Sequence, residues 1–395
     1  MRANYLVIFS MNARNKTFND EITFLKKHTD VVVLADSAGK AKIAVSPKLQ
    51  GRVLTSTAAG DKGLSCGWIN RALISSGKIA LHINAYGGED RFWLGPEGGQ
   101  YALFFKKDTP FDLEHYFTPA PVDTESFDLV SQTGSSIAMQ KDMKLVNYSG
   151  TSFELRVDRA IAVLEREAGI QLLGTPVPDD LQLAAFQSKN RLTNTGEKTW
   201  EKATGLLSIW TLGMFNASPA TTIVIPCQTG PETELGPIVN DAYFGKVPSD
   251  RLVIRDKKLF FKGDGQYRGK IGLSPRRAKP VLGSYDAANR MLTIAQYTKP
   301  KEAVEYVNSM WEIQKEPFQG DVVNSYNDGA HKPGEKALGA FYELETSSPA
   351  VALEPGKSAE HVHRTFHLQG DEKDLDPIAR AVLGVSIGET KKAFK

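Results

Sequence analysis

The sequence lacks several features that would restrict its function class at once. None of its apolar runs approaches the roughly 20 residues that a membrane-spanning helix needs. Its 48 basic and 46 acidic residues leave a net charge of only +2, and the charges are interspersed. A balance of this kind gives no reason to expect nucleic acid or an anionic membrane surface as a partner. We therefore expect no membrane span and no nucleic-acid partner.

Cysteine is scarce as well. The 395 residues contain only Cys66 and Cys227, which are too few for a disulfide framework. One bridge between them is conceivable, but two separate buried thiols are the simpler interpretation. Hydrophobic residues make up 41% of the chain and charged residues 24%. This composition is typical of a globular protein that buries a sizeable core.

The first residues, MRANYLVIFSMNA, leave two interpretations open. One Arg, a short apolar run from Tyr5 to Met11 and an alanine at position 13 are compatible with the remnant of a secretory signal. A buried first strand explains the same run. The first interpretation predicts a periplasmic or secreted protein, and the second leaves a cytoplasmic one.

Periodicity changes along the chain. Residues 16–29 place Phe18, Ile22 and Leu25 on one side, with an acidic start and a lysine-rich end, as in an amphipathic helix. After them come short β-branched runs separated by Gly, Ser and Pro. We predict an N-terminal segment over 1–29, an antiparallel β-domain over 30–370, and a helical tail over 371–395 that packs on the same domain.

Four segments carry the more detailed predictions. SFELRVDRAIAVL alternates as one long strand, with a helix as the competing interpretation of its second half. RLVIRDKKLFFKG and VLGSYDAANRMLTIAQYT are predicted hairpins, with turns at Asp256–Lys257 and at 286–289. DPIARAVLGVSIGETKKAF is the one clear helix near the end of the chain.

The stretch HVHRTFH holds three of the seven histidines. On a strand, His361, His363 and His367 would share one face, because side chains alternate with period two. His361 and His363 have the spacing of a metal-binding pair, but a site needs a third ligand from elsewhere. His367 lies roughly 13 Å from His363 along an extended chain, too far to join them. The alternative is a structural strand with half-buried histidines.

Three segments carry a resemblance to a known family. The block FYELETSSPAVALEPGKSAEHVHRTFHL (341–368) resembles the last strands of the aldose 1-epimerase (galactose mutarotase) superfamily. GSYDAANRMLTIAQYTKP is similar to the hairpin that precedes them, and NRLTNTG to a strand and turn that often precede the catalytic histidine. The likeness is greatest to uncharacterised bacterial relatives. It implies an all-β supersandwich of large antiparallel sheets whose concave face holds a saccharide, with no cofactor.

The resemblance also implies a catalytic base. Mutarotation needs one group to take the proton of the anomeric hydroxyl and another to protonate the ring oxygen. The carboxylate at the family position of the base is Glu345. Glu343 lies two residues earlier on the same strand face, where mutual repulsion would raise one pKa of the pair. The competing interpretation is that both carboxylates simply face solvent.

The general acid is missing from its expected place. The stretch GLLSIWTLGMF (205–215) contains no histidine, and Trp210 stands about where the imidazole should be. An indole N–H donates a hydrogen bond and nothing more. His82, His331 and Tyr326 are possible substitutes if the fold brings them in, and we take His82 as the candidate.

Other residues are candidates for saccharide contacts. Trp210 is suited to stack on a sugar ring, with an inter-sheet core position as the alternative. The resemblance implies an arginine that contacts sugar hydroxyls, which makes Arg91 the first candidate and Arg71 the second, against the alternative of surface salt bridges. Glu97 lies in the glycine-rich segment 84–105, where backbone can approach a ligand closely. Asn327 lies in YNDG, which is most simply a turn.

The sequence thus leads to three hypotheses. The first is a carbohydrate-active protein that uses Glu345 in epimerase-like proton transfer. The second is a non-catalytic saccharide-binding protein on the same fold. The third is a metal-assisted lyase or hydrolase that uses His361 and His363.

Overall fold

A computed structural model describes residues 16–395 of the protein, except 331–333 and 335. The helices are α1 (Phe18–His28), α2 (Arg71–Ser76), α3 (Ala120–Asp123), α4 (Arg166–Leu173), α5 (Glu232–Leu235), α6 (Glu372–Leu383) and α7 (Ile387–Lys391), with 3-10 turns at Pro47–Leu49 and Gly60–Lys62. In the described part of the chain, no helix has the length and apolar character to cross a membrane. The N-terminal apolar run from Tyr5 to Met11 lies outside these residues.

Among the described residues, eighteen strands make up most of the regular structure. They are β1 (Val32–Ala35), β2 (Lys42–Ser46), β3 (Arg52–Thr57), β4 (Arg91–Gly95), β5 (Asp128–Gln132), β6 (Ser136–Val146), β7 (Ser152–Val163), β8 (Gln182–Asn194), β9 (Ser208–Asn216), β10 (Thr221–Pro226), β11 (Leu252–Arg255), β12 (Lys258–Lys262), β13 (Gly269–Leu273), β14 (Val281–Asp286), β15 (Met291–Tyr297), β16 (Val323–Asn327), β17 (Phe341–Ser347) and β18 (Ser358–Gln369). The all-β prediction is confirmed.

The strands form three antiparallel sheets. The largest has the order β11-β12-β10-β14-β15-β18-β8-β7-β6-β5, the second has the order β13-β16-β17-β9-β4, and the smallest is β1-β2-β3. Side chains of the ten- and five-stranded sheets share one buried core, as Phe261 and Leu282 pack in a cluster with Ile271 and Leu344. The two large sheets therefore stack face to face.

Local sequence signals agree with these elements. Thr17 and Asp20 form a capping box at the start of α1, which buries Phe18 and Leu25. The hairpin β11–β12 turns at Asp256 and Lys257 as predicted, with φ of 49° and 65°. Positive φ at both central residues is the geometry that matches the twist of two paired strands.

Two helical predictions need correction. The predicted helix over 376–394 is two helices, because Gly384 adopts a left-handed conformation that ends α6 and Ser386 caps the start of α7. The helical alternative for the second half of SFELRVDRAIAVL is wrong, because β7 continues to Val163 and helix α4 begins only at Arg166. Helix α6 buries Ile378 and Leu383 in a cluster with residues of the ten-stranded sheet.

Strand β17 carries different chemistry on its two faces. Tyr342 and Leu344 point into the core between the sheets. Because side chains alternate, Glu343 and Glu345 point to the other face of the five-stranded sheet. That face is the location of the candidate site.

Candidate functional site

Glu345 lies at the centre of a buried cluster on the five-stranded sheet. Its side chain is fully buried, and its Oε2 accepts hydrogen bonds from Trp210 Nε1 and Lys270 Nζ, each at 3.1 Å. The register of the sheet explains why Trp210 is near Glu345, because Glu345 is opposite Leu212 of β9 and Asn324 of β16. Trp210 lies two residues before Leu212, so it shares the face of Glu345. Oε1 of Glu345 has no hydrogen-bond partner.

Glu343 forms the second half of the cluster. Its Oε1 accepts a hydrogen bond from Nη2 of Arg91, and both side chains are almost completely buried. Burial raises the pKa of Glu343 to about 8; the Arg91 guanidinium opposes this increase, and the charge of Glu345 adds to it. At neutral pH the Glu343 carboxyl therefore holds a proton for most of the time, whereas an exposed glutamate would have lost it.

Lys270 connects the glutamates to further polar groups. Burial acts to lower the pKa of Lys270, but the negative charges of Glu345 and Glu97 outweigh burial and leave that pKa above its usual value. The ammonium lies 4.8 Å from the centroid of the Trp210 ring. The Trp210 ring also packs edge-on against Trp93 at 5.6 Å, so neighbours already cover it.

A second acidic group lies on the far side of Lys270. The Tyr243 hydroxyl donates to Asp321 Oδ2 at 2.7 Å, and Asn324 Nδ2 donates to that hydroxyl at 3.0 Å. Burial raises the pKa of Asp321 to about 6. The site thus holds several carboxyl groups with different proton affinities around one ammonium.

Glu97 borders the same cluster. Burial raises its pKa, and the positive charge of Lys270 acts in the opposite direction. Its Oε1 accepts a hydrogen bond from the Tyr116 hydroxyl at 3.0 Å. Glu97 follows the end of β4, which also supplies Arg91, so one short segment brings both residues to the site.

The space beside these groups is small. A hollow lined by Trp210, Tyr243, Lys270, Ser309 and Asp321, among others, has a volume of about 10 Å³. That volume holds about one water molecule. In this conformation the cluster is closed to a sugar ring.

The structure brings Glu343, Glu345, Arg91, Glu97 and Trp210 together, and three other predicted site residues lie elsewhere. Arg71 Nη1 donates to Glu21 Oε2 at 2.7 Å, on helix α1. His82 Nδ1 lies 2.8 Å from the backbone oxygen of Tyr116. Asn327 holds a turn, since its Nδ2 donates to the oxygen of Tyr267 at 2.9 Å.

Tyr326, a further alternative for the general acid, lies opposite Glu343 in the pairing of β16 with β17, so it borders the cluster without reaching Glu345. The Tyr326 hydroxyl donates to Asp328 Oδ1 at 3.0 Å, on strand β16 and the turn after it. His331 lies outside the described residues.

His361 and His363 share a single partner. The Thr346 hydroxyl lies 2.9 Å from Nε2 of His361 and 2.9 Å from Nδ1 of His363. Burial lowers the pKa of His361 to about 3 and lowers that of His363 as well. Both imidazoles are therefore neutral, and the hydroxyl can donate to one and accept from the other. Within 16–330, 334 and 336–395, no group of three or more His, Cys, Asp or Glu residues is arranged to hold a metal.

Sequence reasoning missed Lys270, Tyr243 and Asp321. Lys270 lies in GKIGL, a five-residue strand buried along its whole length. A lysine within such an apolar strand is a signal, because a buried ammonium requires a partner. The sequence could not identify Glu345 as the partner of Lys270, because it does not reveal that only β16 lies between β13 and β17 in the sheet.

Comparisons with known proteins agree with the fold. A candidate aldose 1-epimerase from Escherichia coli K12 superposes with a TM-score of 0.52 at 14% identity, covering 86% of this chain and 99% of its own. The Slr1438 protein of Synechocystis sp. PCC 6803 gives 0.50 at 10% identity, with 87% and 96% covered. At these identities the likeness concerns the fold alone, and it confirms the predicted resemblance to the galactose mutarotase-like supersandwich.

Sequence comparison adds the family. No curated protein matches this chain. Residues 16–394 match a family of unknown function, DUF6786. The chain is therefore a member of the DUF6786 family, built on the galactose mutarotase-like fold.

Proposed function

We propose that this protein acts on a carbohydrate by proton transfer, with Glu345 as the base. The observation that carries the proposal is the pair of glutamates on β17, which share one buried face but have different partners. Glu345 faces an ammonium and an indole N–H, which stabilise negative charge on Oε2. Two carboxyl groups in different environments within one site are typical of acid–base catalysis.

Glu343 is the proton donor in this proposal. Its pKa of about 8 keeps the carboxyl protonated at neutral pH, so it can fill the role of the missing histidine. In an epimerase-like reaction, Glu345 would take the proton of the anomeric hydroxyl and Glu343 would protonate the ring oxygen as its bond to C1 breaks. Reclosure on the other face of the carbonyl returns both protons.

Access requires movement of the segments that cover the cluster. The water-sized hollow is lined by Tyr243 and Ser309, which lie in segments outside the strands. Movement of these two segments would enlarge the hollow beside Trp210 and Lys270, the two hydrogen-bond partners of Glu345. The proposal therefore includes an open conformation in which a sugar replaces the covering side chains.

The test is exchange spectroscopy by NMR on the anomers of common hexoses. We expect the wild-type protein to accelerate interconversion and Glu345→Gln to reduce that rate by on the order of 100-fold or more. Glu354→Gln is the matched control, since Glu354 is exposed, and it should leave the rate unchanged. Equal rates for the wild type and Glu345→Gln would remove Glu345 from the role of base.

The second candidate function is saccharide binding without turnover. It is favoured by the position of Trp210, whose indole N–H is bonded to Glu345 in the place where a histidine was expected. Binding on a glycan array without anomer interconversion would support this candidate. Interconversion that depends on Glu345 would support the first.

A further inference from the structure

A cavity of about 290 Å³ lies apart from the Glu345 cluster, where side chains of the two large sheets meet. The ten-stranded sheet contributes Met291, Thr293 and His367 to its wall, and the five-stranded sheet contributes Phe215 and Tyr342. Among the described residues, none lines both this cavity and the hollow beside Glu345. The volume is at the lower end of the range for small-molecule sites, so it suits a ligand with a single ring.

Two groups of ion pairs lie at this cavity. Nε2 of His367 is 2.7 Å from Oε2 of Glu89, with both side chains at most 1% exposed. Burial acts to lower the pKa of His367, but the interactions of its neighbours, the Glu89 carboxylate among them, outweigh burial and raise that pKa to about 10. At the other end of the wall, Glu21 Oε2 is 2.7 Å from Arg71 Nη1, and Glu21 Oε1 is 3.8 Å from Lys16 Nζ.

Asp286 is the remaining charged residue of the wall. Its Oδ1 accepts hydrogen bonds from the Ser218 hydroxyl at 2.5 Å and the Ala288 backbone N–H at 3.0 Å. Its Oδ2 accepts a hydrogen bond from Asn289 Nδ2 at 2.6 Å. Three neutral donors thus stabilise this carboxylate.

The charges at the cavity balance. The charged residues of the wall and their ion-pair partners are three cations (Lys16, Arg71 and His367) and three anions (Glu21, Glu89 and Asp286). A ligand with a net charge would upset this balance in a partly buried space, which costs free energy. The cavity therefore favours a neutral ligand.

An amide in the wall is fixed in position with one atom left over. Asn216 Nδ2 donates to the backbone oxygens of Ser65 at 2.9 Å and Gly67 at 3.0 Å. Oδ1 of the same amide accepts no hydrogen bond from the described residues. A ligand group that donates a hydrogen bond, such as a hydroxyl, fits this oxygen.

Two hydroxyls deeper in the wall add to this capacity. The Thr293 hydroxyl is 3.0 Å from Nδ1 of His367, and the Tyr342 hydroxyl is 2.7 Å from the Ser284 hydroxyl. A hydroxyl can donate one hydrogen bond and accept others, so hydroxyls are suited to bind groups that also do both. This polar part of the wall matches the hydroxyl groups of a ligand.

The rest of the wall is apolar. Trp68, Phe215 and Met291 line the cavity, and the Trp68 ring is held by Phe341 at a centroid distance of 4.5 Å. Aromatic side chains offer a large apolar surface that can contact the C–H groups of a ring. The cavity thus combines apolar surface with hydrogen-bonding groups and has no net charge.

We propose that this cavity binds a neutral small molecule that has one ring and several hydroxyl groups, a monosaccharide or a cyclitol. Its hydroxyls donate to Asn216 and exchange hydrogen bonds with Thr293 and Tyr342, while its C–H groups contact Trp68 and Phe215. This site does not include Glu345, so it is independent of the proposed acid–base reaction.

The first experiment uses the indole N–H signals of the five tryptophans in a ¹⁵N–¹H NMR spectrum. Trp68→Phe and Trp210→Phe assign the signals of the cavity and of the Glu345 cluster. D-Glucose, D-galactose and myo-inositol are titrated separately. We expect at least one of them to shift the Trp68 signal saturably, in the wild type and in Glu345→Gln alike.

The two tryptophans separate this inference from the proposed function. A saturable shift of the Trp210 signal alone would support binding at the Glu345 cluster and overturn the cavity site. If none of the three compounds shifts the Trp68 signal saturably, the cavity site is likewise overturned, whatever the result of the anomer-exchange test.

The second experiment tests the location of the ligand. Ala340 lines the cavity and is exposed, so Ala340→Phe should narrow the entrance and abolish the Trp68 shift. Ala160→Phe is the matched control, because Ala160 is exposed on β7, and it should leave the shift unchanged. Wild-type binding by Ala340→Phe would place the ligand elsewhere and overturn the proposal.

The third experiment tests the chemical class. Glucosamine and glucuronate carry one charge of either sign on the glucose ring, and each should bind at least about tenfold more weakly than the neutral sugar. Tetrahydropyran, a similar ring without hydroxyls, should also bind more weakly. Equal affinity for a charged analogue would contradict the neutral ligand, and equal affinity for tetrahydropyran would contradict the role of the hydroxyls.

Discussion

Two buried polar clusters of this protein differ in the number of their ionisable groups and in the volume of the space beside them, and the cluster with more ionisable groups has the smaller space. The Glu345 cluster contains the carboxyl groups, ammonium and guanidinium that acid–base chemistry needs, beside a hollow of about 10 Å³. The second cluster, the ion pair of His367 and Glu89, is simpler, but His367 lines a cavity of about 290 Å³. The first cluster requires motion before it can meet a substrate, while the second can receive a small molecule as it stands. Composition and accessibility are therefore separate properties of a site.

The clusters also differ in the way they balance buried charge. Glu345 has Lys270 on one carboxylate oxygen and no partner on the other. In the second cluster, each nitrogen of His367 has a partner, while Oε1 of Glu89 has none. Removal of a cation from either place leaves a buried carboxylate without compensation, which is among the most costly single changes a protein can undergo.

The largest effect is expected for Lys270→Met. This change leaves the fully buried Glu345 carboxylate without its cation, and it should lower the free energy of unfolding by about 3–5 kcal/mol. Urea denaturation at pH 7 measures it. Lys189→Met is the control, because Lys189 pairs with Glu360 at the surface, with both side chains about half exposed, and should change stability by less than about 1 kcal/mol. Similar losses of stability in the two variants would mean that water screens the charges of Glu345 and Lys270.

A smaller loss is expected for Thr346→Val, which affects the face of β17 opposite to Glu345. The change removes the hydroxyl that serves both His361 and His363 and leaves two neutral imidazole nitrogens without their partner. The cost should be about 1–3 kcal/mol in urea denaturation. Thr346→Ser keeps the hydroxyl and should recover most of that loss. If Thr346→Val leaves the free energy of unfolding unchanged, the two histidines have found other hydrogen-bond partners.

The free energy of unfolding should depend on pH over a different pH range for each cluster. A group whose pKa is higher in the folded state stabilises that state at low pH and loses this contribution as pH rises through the folded value. For Glu343 the window runs from its ordinary 4.5 to about 8, and for His367 from 6.5 to about 10. Below pH 6.5 the lowered pKa values of His361 and His363 act in the opposite direction, so the wild-type protein should lose stability mainly between pH 6.5 and 10.

The variant Glu343→Gln separates the contribution of Glu343 to this pH dependence from that of His367. Glutamine is neutral at every pH, so this variant should flatten the decline below pH 8 and leave the decline between pH 8 and 10 that His367 produces. Urea denaturation at pH 5, 6.5, 8 and 9.5 gives the curve. Glu360→Gln, at a half-exposed position, serves as control. An unchanged slope below pH 8 in Glu343→Gln would contradict the raised pKa of Glu343.

Part of the site was predictable because it lies within one strand. Glu343 and Glu345 are two residues apart, so alternation alone places them on the same face of β17. The same rule placed His361, His363 and His367 together on β18, and all three are buried there. Their partners were not predictable, because Thr346 lies on the other large sheet and Glu89 is 278 residues from His367.

The separation of the predicted saccharide contacts has a similar cause. The family resemblance made Arg91 the first and Arg71 the second candidate for one role. In the structure, Arg91 is on a strand of the five-stranded sheet and Arg71 begins a short helix against α1. Only the pairing of β4 with β9 brings Arg91 within reach of Glu343. Sequence spacing contains no information on which strands become neighbours.

The sequence by itself determined the β character of the chain, the turn at Asp256–Lys257 and the shared face of the two glutamates. These features depend on backbone preferences and on side-chain alternation, which act over a few residues. The tertiary structure decided that Lys270 neutralises Glu345 and that Glu89 pairs with His367 beside a cavity. Those outcomes depend on strand order and sheet stacking, which join residues tens to hundreds of positions apart through packing rather than through local spacing.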